Sequence, residues 1–222
     1  MSRIDAVVFD LDDTLYPERQ FAFSGFAAVA EAFTSIFGSP AESAAAMRRL
    51  FDTEHRPRVF NTLLREIGHQ DDADLVARMV EVYRNHPPTI SLFPDADDAL
   101  TRLRTRVRLG LISDGPLRTQ QNKVAALGLQ PRVDFIVLTA ELGPDSSKPH
   151  PAAFELMAER LGVSHRHCAY VADNPAKDFV APNALGWLAV CIRREGGIYR
   201  ATQPPRDGRE CQAITSLDHL AL

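Results

Sequence analysis

The 222-residue sequence contains few cysteines, and their arrangement could not organise a fold. Cys168, Cys191 and Cys211 are odd in number and irregularly spaced, so they predict neither a disulfide framework nor a zinc site. Cys168 and Cys191 lie in apolar runs, where a cysteine commonly packs as a small hydrophobe. This usage is typical of a protein from a reducing compartment.

Long apolar runs are also missing. No window reaches the roughly 18 consecutive apolar residues that a membrane-spanning helix needs. The segment Met1–Asp5 leads directly into a strand-like run and lacks the basic start, apolar stretch and small-residue cleavage site of a signal peptide. We therefore expect a cytoplasmic protein without a membrane partner.

The sequence also lacks an excess of positive charge. The net charge is −4 and the isoelectric point is about 6.0, which argues against nucleic acid as a partner. A phosphorylated metabolite is not excluded, because a local site can oppose the global charge. The length and the 45% hydrophobic content suit one large domain or a core domain with an insertion.

The pattern of apolar residues changes along the chain. Ala6–Phe9 is an apolar run that predicts a buried strand. Residues 18–90 have apolar side chains at helical spacing throughout, and prolines at positions 40, 57, 87 and 88 divide them into about four predicted helices.

Strands and helices alternate after residue 94. The patterns predict strands at 107–112, 133–138, 168–172 and 187–192, and helices at 117–127, 151–161 and 176–185. Gly128 and Gly162 are expected to end two of these helices. The segment 193–209 predicts a loop, followed by a short strand at 213–214 and a helix capped by Ser216.

This order predicts an α/β fold, with a Rossmann-like doubly wound parallel sheet and an inserted all-helical domain. The predicted core comprises residues 1–17 and 92–222, and the predicted insert comprises residues 18–91. In such sheets, ligands bind beyond the carboxyl ends of the strands.

Polar side chains follow the predicted strands at that edge. They are Asp10, Asp12 and Thr14 after the first strand, Ser113, Asp114 and Gly115 after the second, Lys148 before a helix, and Asp173 and Asp178 after a later strand. Crowded carboxylates repel one another unless a cation joins them, and all-oxygen ligation suits Mg²⁺. A hydroxyl, turn amides and a lysine suit a phosphoryl group. The set therefore predicts phosphoryl transfer.

With these motifs the sequence resembles the haloacid dehalogenase superfamily, in its phosphatase-type branch, over roughly residues 4–192. Asp10, Asp12 and Thr14 match the D-x-D-x-T motif, and Ser113 matches the second motif. Lys148 matches the third motif, and Asp173 and Asp178 match the spaced acidic pair of the fourth. The resemblance implies that the helical insert is a cap of the C1 type.

The resemblance also implies three catalytic roles. Asp10 would attack the phosphorus as a nucleophile and form an aspartyl-phosphate. Asp12 would protonate the leaving oxygen and then activate water. Lys148 would screen the negative charge that gathers on the nucleophile and the phosphate.

The remaining implied roles concern metal and phosphate. Mg²⁺ would be held by the Asp10 carboxylate, the Asp12 carbonyl and Asp173, and Asp178 would support the metal's waters or orient Lys148. Ser113, Asp114 and Gly115 would form the substrate-binding loop, with Ser113 and the Gly115 amide holding phosphoryl oxygens. An aspartate in the position of Asp114 more often caps or solvates a turn.

An acid at position 12 favours phosphoesters over halides in this superfamily, because a halide needs no protonation. We therefore expect Mg²⁺-dependent hydrolysis of a small phosphomonoester. A phosphomutase would share every motif, and a non-catalytic binding protein on the same fold is a further alternative. The substrate and the oligomeric state stay open, and Ala172, where glycine is usual, indicates a distinct subfamily.

Overall fold

The computed structural model describes residues 3–53, 56–69 and 72–221. Contacts between Cα atoms divide the chain into two compact units, one running to Glu18 and resuming at Ser91, the other spanning Arg19–Ile90. Residues 1, 2 and 222 of the predicted core, and 54, 55, 70 and 71 of the predicted insert, lie outside the described residues. That the two units act as catalytic core and cap stays a prediction.

Five α-helices lie between positions 18 and 85 of the described chain, and the third and fifth of them begin at capping side chains, Ser39 and Asp72. The five helices are α1 (Glu18–Ala32), α2 (Thr34–Phe37), α3 (Pro40–Phe51), α4 (Val59–Glu66) and α5 (Ala73–Asn85). Ser39 accepts a hydrogen bond from the Glu42 amide at 3.4 Å, and Pro40 occupies the first turn of α3. Among the described residues the predicted four helices become five, because the four-residue α2 follows α1 directly.

The unit that runs to Glu18 and resumes at Ser91 contains a sheet whose strands are all parallel. Its strands are β1 (Ala6–Phe9), β2 (Arg108–Ser113), β3 (Phe135–Leu138), β4 (Cys168–Ala172), β5 (Leu188–Ile192) and β6 (Gln212–Ile214), in the order β3-β2-β1-β4-β5-β6. Val8 of β1 lies opposite Gly110 of β2 on one side and Tyr170 of β4 on the other. The strand order reverses between β1 and β4, which makes their carboxyl ends the topological switch point. The predicted doubly wound fold is confirmed.

Four helices accompany this sheet: α6 (Pro94–Leu103), α7 (Leu117–Ala126), α8 (Ala152–Leu161) and α9 (Val180–Leu185). Gly128 and Gly162 follow α7 and α8 with φ angles of 61° and 67°, as expected for glycines that end helices. Among the described residues, no helix is both long and apolar enough to cross a membrane.

The start of α9 corrects the sequence prediction of a helix from residue 176. Asn174 Oδ1 accepts from the Ala176 amide at 3.1 Å, and Asp178 Oδ2 accepts from the Asn174 amide at 3.0 Å. These side chains stabilise a turn in competition with the helix. The helix therefore begins at Val180, and Asp178 belongs to the turn before it.

Gly110 marks a close approach between β2 and α8. A Cβ atom at this position would lie 2.5 Å from Met157 Sδ and 3.1 Å from Val8 Cγ2. We expect Gly110→Ala to lower the free energy of unfolding by about 1–3 kcal/mol through overpacking, as measured by urea denaturation. In a Met157→Ala background the same change should be neutral or stabilising, and an equal cost in both backgrounds would contradict this contact as the cause.

Candidate active site

Three buried carboxylates meet at the switch point of the sheet. Asp10 follows β1 and its amide donates to Val171 O of β4 at 2.9 Å, while Asp173 follows β4 directly. Asp178 joins them from the turn before α9. One carboxylate oxygen of each residue lies within 4.8 Å of the others, and all three residues are buried. The strand ends thus bring together Asp10, Asp173 and Asp178.

Lys148 supplies the buried cation of this cluster. Its Nζ lies 2.5 Å from Asp10 Oδ1, 2.8 Å from Asp178 Oδ1 and 2.9 Å from the Tyr170 hydroxyl, and its side chain is 1% exposed. Burial alone would lower the pKa of Lys148, but the charges of Asp10 and Asp178 outweigh it and hold the pKa well above its usual value. Lys148 is therefore a fixed positive charge beside Asp10.

One lysine does not balance three carboxylates. Burial, reinforced by the charge of Asp178 and opposed by Lys148, raises the pKa of Asp10 to about 7. Burial and the neighbouring Asp10 and Asp178 raise the pKa of Asp173 to about 10. Without a metal, the cluster therefore holds protons that its carboxylates would release in water.

The donor set fits a hard divalent cation. Asp178 Oδ1 is buried without a hydrogen bond, since its contact with Lys148 is an ion pair only, and the cluster offers carboxylate oxygens from three residues. Such oxygens suit Mg²⁺, and a divalent charge would offset their mutual repulsion. The Asp12 carboxylate does not join the cluster. Its predicted contribution through the backbone carbonyl stays a prediction.

The Asp12 side chain instead has two partners that sequence reasoning missed. The Tyr16 hydroxyl donates to Asp12 Oδ1, and Lys123 Nζ lies 2.6 Å from the same oxygen. Tyr16 is fully buried; burial and the charge of Asp12 raise its pKa well above the usual value, so the phenol keeps its proton. The available signal was Lys123 itself, which shares the buried face of α7 with Gln120 and Val124.

The segment after β2 forms a turn held by Gln120. The Ser113 hydroxyl donates to Gln120 Oε1 at 3.3 Å, and Gln120 Nε2 donates to the Asp114 carbonyl at 2.8 Å. Gly115 has a φ angle of 131°, and a Cβ there would lie 2.5 Å from Gln120 Nε2. A glycine is therefore required at this point of the predicted phosphate loop.

The Asp114 carboxylate connects this loop to two other segments. Oδ2 pairs with Lys177 Nζ at 2.6 Å, while Oδ1 accepts from the Lys148 amide at 3.2 Å and from the Thr139 hydroxyl at 2.9 Å. Burial would raise the pKa of Asp114, but Lys148 and Lys177 lower it. Both oxygens are occupied by protein donors. A direct contact between this carboxylate and substrate stays a prediction.

The distribution of lysine follows the site. The chain has only three lysines against 22 arginines, and each lysine pairs with a carboxylate of the predicted motifs. Lys123 pairs with Asp12, Lys148 with Asp10 and Asp178, and Lys177 with Asp114.

Asp13 and Thr14, which complete the first motif segment, make hydrogen bonds with residues outside the motif. Asp13, at a φ angle of 49°, accepts from the Glu18 amide at 2.8 Å and from the Ile198 amide at 3.3 Å. The Thr14 carbonyl accepts from Arg194 Nη2 at 2.8 Å. These bonds anchor the motif to the long loop after β5.

The family match agrees with this arrangement. The chain belongs to the haloacid dehalogenase-like hydrolase family, whose model matches residues 4–186. Within that family it is a phosphatase-type enzyme, as the sequence motifs predicted. The C1 type of its cap stays a prediction.

Two curated relatives and one solved structure illustrate the match. The chain is 33% identical over 213 residues to a glyceraldehyde 3-phosphate phosphatase of Methanopyrus kandleri, covering 92% of this chain and 89% of the relative. It is 27% identical over 230 residues to a ribulose-1,5-bisphosphate 5-phosphatase of Halopiger xanaduensis, covering 97% and 95%. A HAD phosphatase from Thermococcus onnurineus has the same fold, with a TM-score of 0.62 at 24% identity and coverage of 97% and 95%.

Proposed function

We propose that the protein is a Mg²⁺-dependent phosphomonoester hydrolase that works through an aspartyl-phosphate on Asp10. The observation that carries the proposal is the buried Asp10 carboxylate held 2.5 Å from Lys148, with a second acid two residues further on. Asp10 has one oxygen on Lys148, which leaves the other to attack phosphorus. Residues two apart on an extended chain point to the same side, so Asp12 can serve the same substrate.

The proposed reaction has two steps. Asp10 attacks the phosphorus, the bond to the ester oxygen breaks, and Asp12 gives that oxygen a proton. Asp12 then takes a proton from water, whose oxygen attacks the phosphorus and releases Asp10 and inorganic phosphate. Each proton leaves and returns through Asp12, so the cycle restores the enzyme.

The surrounding groups stabilise the negative charge of the transferred phosphoryl group. Lys148 contributes a permanent charge beside the proposed nucleophile, and the Gly115 amide and the Ser113 hydroxyl are the proposed donors to phosphoryl oxygens. To donate, the hydroxyl would turn from Gln120 Oε1 to the substrate. Donors of this kind are commonly worth about 3–4 kcal/mol each in the transition state. Mg²⁺, held by Asp10, Asp173, Asp178 and the Asp12 carbonyl, would neutralise further charge on the phosphate.

Short sugar phosphates are the proposed substrate class. The two curated relatives described above act, by name, on phosphorylated sugars of three and five carbons. Of these two, the relative with the higher identity is the phosphatase of the three-carbon sugar. Glyceraldehyde 3-phosphate is therefore the first natural ester to test.

The proposal is tested by phosphate release from p-nitrophenyl phosphate and glyceraldehyde 3-phosphate, with Mg²⁺ and with a chelator. We expect turnover with Mg²⁺ and its loss with the chelator. Absence of turnover on both esters and on a panel of sugar phosphates, together with failure to form a beryllium fluoride complex on Asp10, would refute the enzymatic proposal.

Protons should compete with Mg²⁺ for the cluster. The pKa of Asp173 is raised to about 10 in the metal-free site, so below that pH metal binding must displace a proton. Displacement of the Asp173 proton alone should raise the apparent affinity for Mg²⁺ by up to about tenfold per pH unit, or about 100-fold between pH 6 and 8, and displacement of the Asp10 proton, whose pKa is about 7, should add up to about tenfold. Calorimetric titration in two buffers of different ionisation enthalpy measures the released proton. A pH-independent affinity with no proton release would contradict this reading.

A further inference from the structure

Asp12 presents two unequal oxygens. Oδ1 receives both the Tyr16 hydroxyl and the Lys123 ammonium, the latter at 2.6 Å. Across the described ranges 3–53, 56–69 and 72–221, no hydrogen bond is made to Oδ2, and the Lys123 ammonium lies closest to Oδ1. The side chain is 24% exposed, so the carboxylate is not sealed from its surroundings. An oxygen that already accepts from two donors has no room for a proton of its own, whereas Oδ2 has.

Packing alone does not explain the lysine at position 123. Its side chain is only 4% exposed, and lysine is almost never so buried unless it is paired. A methionine would fill similar volume without desolvating a charge. The ammonium is therefore placed for its contact with Asp12.

Helix α7 joins this contact to the phosphate loop. Gln120 holds Ser113 and the Asp114 carbonyl, and Lys123 follows Gln120 by three residues on the same buried face. One rigid helix face thus fixes the loop proposed to hold the phosphoryl oxygens and the acid proposed to serve the leaving oxygen.

We propose that Lys123 and Tyr16 are positioning residues that clamp Asp12 Oδ1 and so make Oδ2 the atom that exchanges protons during turnover. This inference rests on the proposed function, in which Asp12 is the acid and base. In the first step Asp12 Oδ2 gives its proton to the ester oxygen as the P–O bond breaks and the bond from Asp10 to phosphorus forms. In the second step Oδ2 takes a proton from the attacking water as the bond between Asp10 and phosphorus breaks.

The test is the dependence of kcat/KM on the leaving group, because kcat/KM reports on phosphoryl transfer to Asp10 and excludes the later hydrolysis. Benzyl phosphate and 4-nitrophenyl phosphate have similar size, but only the benzyl alkoxide needs a proton to leave. The enzymes compared are wild type, Lys123→Met, Tyr16→Phe, Asp12→Asn and, as a surface control, Arg166→Met.

We expect Lys123→Met to lower kcat/KM by about 30–100-fold on benzyl phosphate and less than about threefold on 4-nitrophenyl phosphate, within the range of a misplaced general acid. Tyr16→Phe should show the same split with a smaller loss. Lys123→Arg should restore part of the benzyl activity because it keeps a cationic donor. Arg166→Met, at an exposed position before β4, should show no split.

Equal losses on both esters in Lys123→Met and Tyr16→Phe would overturn the inference, since they indicate a structural role. If Lys123→Met does not fold, Tyr16→Phe decides alone, because it removes one hydroxyl and keeps the ring. Asp12→Asn separates the two proposals. If kcat/KM depends steeply on the leaving group in Asp12→Asn but not in Lys123→Met and Tyr16→Phe, only the inference about the positioning residues is wrong. If kcat/KM does not depend on the leaving group in Asp12→Asn, Asp12 is not the acid of the proposed mechanism.

Discussion

Replacing Asp10 by asparagine should lower kcat by at least about 10⁴-fold while leaving the fold intact, because the amide cannot form the proposed aspartyl-phosphate. The substitution preserves shape at a position that is only 7% exposed. Lys148 keeps its contacts with Asp178 and Tyr170, so the cation is not left without a partner. The measurement is phosphate release at saturating Mg²⁺ and substrate.

The same variant should gain stability relative to wild type as the pH rises in the absence of metal. Burial raises the pKa of Asp10 to about 7 from an ordinary value of 3.8, so ionisation is less favourable in the folded state than in the unfolded chain. The free energy of unfolding of the wild type therefore falls as the pH rises from about 4 to about 7. The Asp10→Asn variant does not lose stability in this way, because its amide stays neutral. Asp98→Asn, an exposed change on α6, is the matched control. Activity above one-tenth of wild type in Asp10→Asn would rule out Asp10 as the nucleophile.

Lys148→Met should lower both activity and stability. It removes the cation that lies 2.5 Å from Asp10 and 2.8 Å from Asp178, and leaves both carboxylates buried without it. Breaking a buried ion pair by removing one partner typically costs about 3–5 kcal/mol of unfolding free energy. Loss of charge beside the proposed nucleophile should lower kcat by about 10³-fold.

The pH dependence of that variant identifies the cause. Without Lys148 the pKa of Asp10 should rise further, because an attractive charge no longer offsets burial. The cost to stability should then be larger at pH 8, where Asp10 must ionise, than at pH 5, where it can stay protonated. Urea denaturation at both pH values tests this, with Arg166→Met as the control because no lysine lies outside the site. An equal cost at both pH values would indicate lost packing instead.

The sequence was sufficient to predict the residues that follow strands. Parallel strands place their carboxyl ends at one edge, so the apolar runs before Asp10, Ser113 and Asp173 locate these side chains without knowledge of packing. The alternation of strands and helices likewise predicted the sheet. These features depend on local periodicity, which a sequence displays directly.

The parts that sequence reasoning missed depend on contacts between distant residues. Lys123 meets Asp12 across 111 positions, and Arg194 meets Asp95 across 99, and no local pattern pairs them. Helix α6 was missed although Pro94 opens it and Asp95 and Asp97 lie in its first turn, because its short apolar face follows a proline-rich break. The late start of α9 arose from side-chain bonds within the turn, which compete with helical propensity.

The scarcity of lysine has a practical consequence for anyone who handles this enzyme. Amine-reactive dyes, cross-linkers and resins can modify lysine side chains only near the proposed active site, and Lys177, at 36% exposure, is the most accessible of the three. Random coupling through lysine would therefore reach Lys177 first and break its ion pair with Asp114. A lysine-specific protease meets three positions where an arginine-specific one meets 22, and all three sit among the paired charges of the site. The rate of cleavage by the lysine-specific protease, measured with and without a bound phosphate analogue, would report how often the backbone at these lysines becomes accessible.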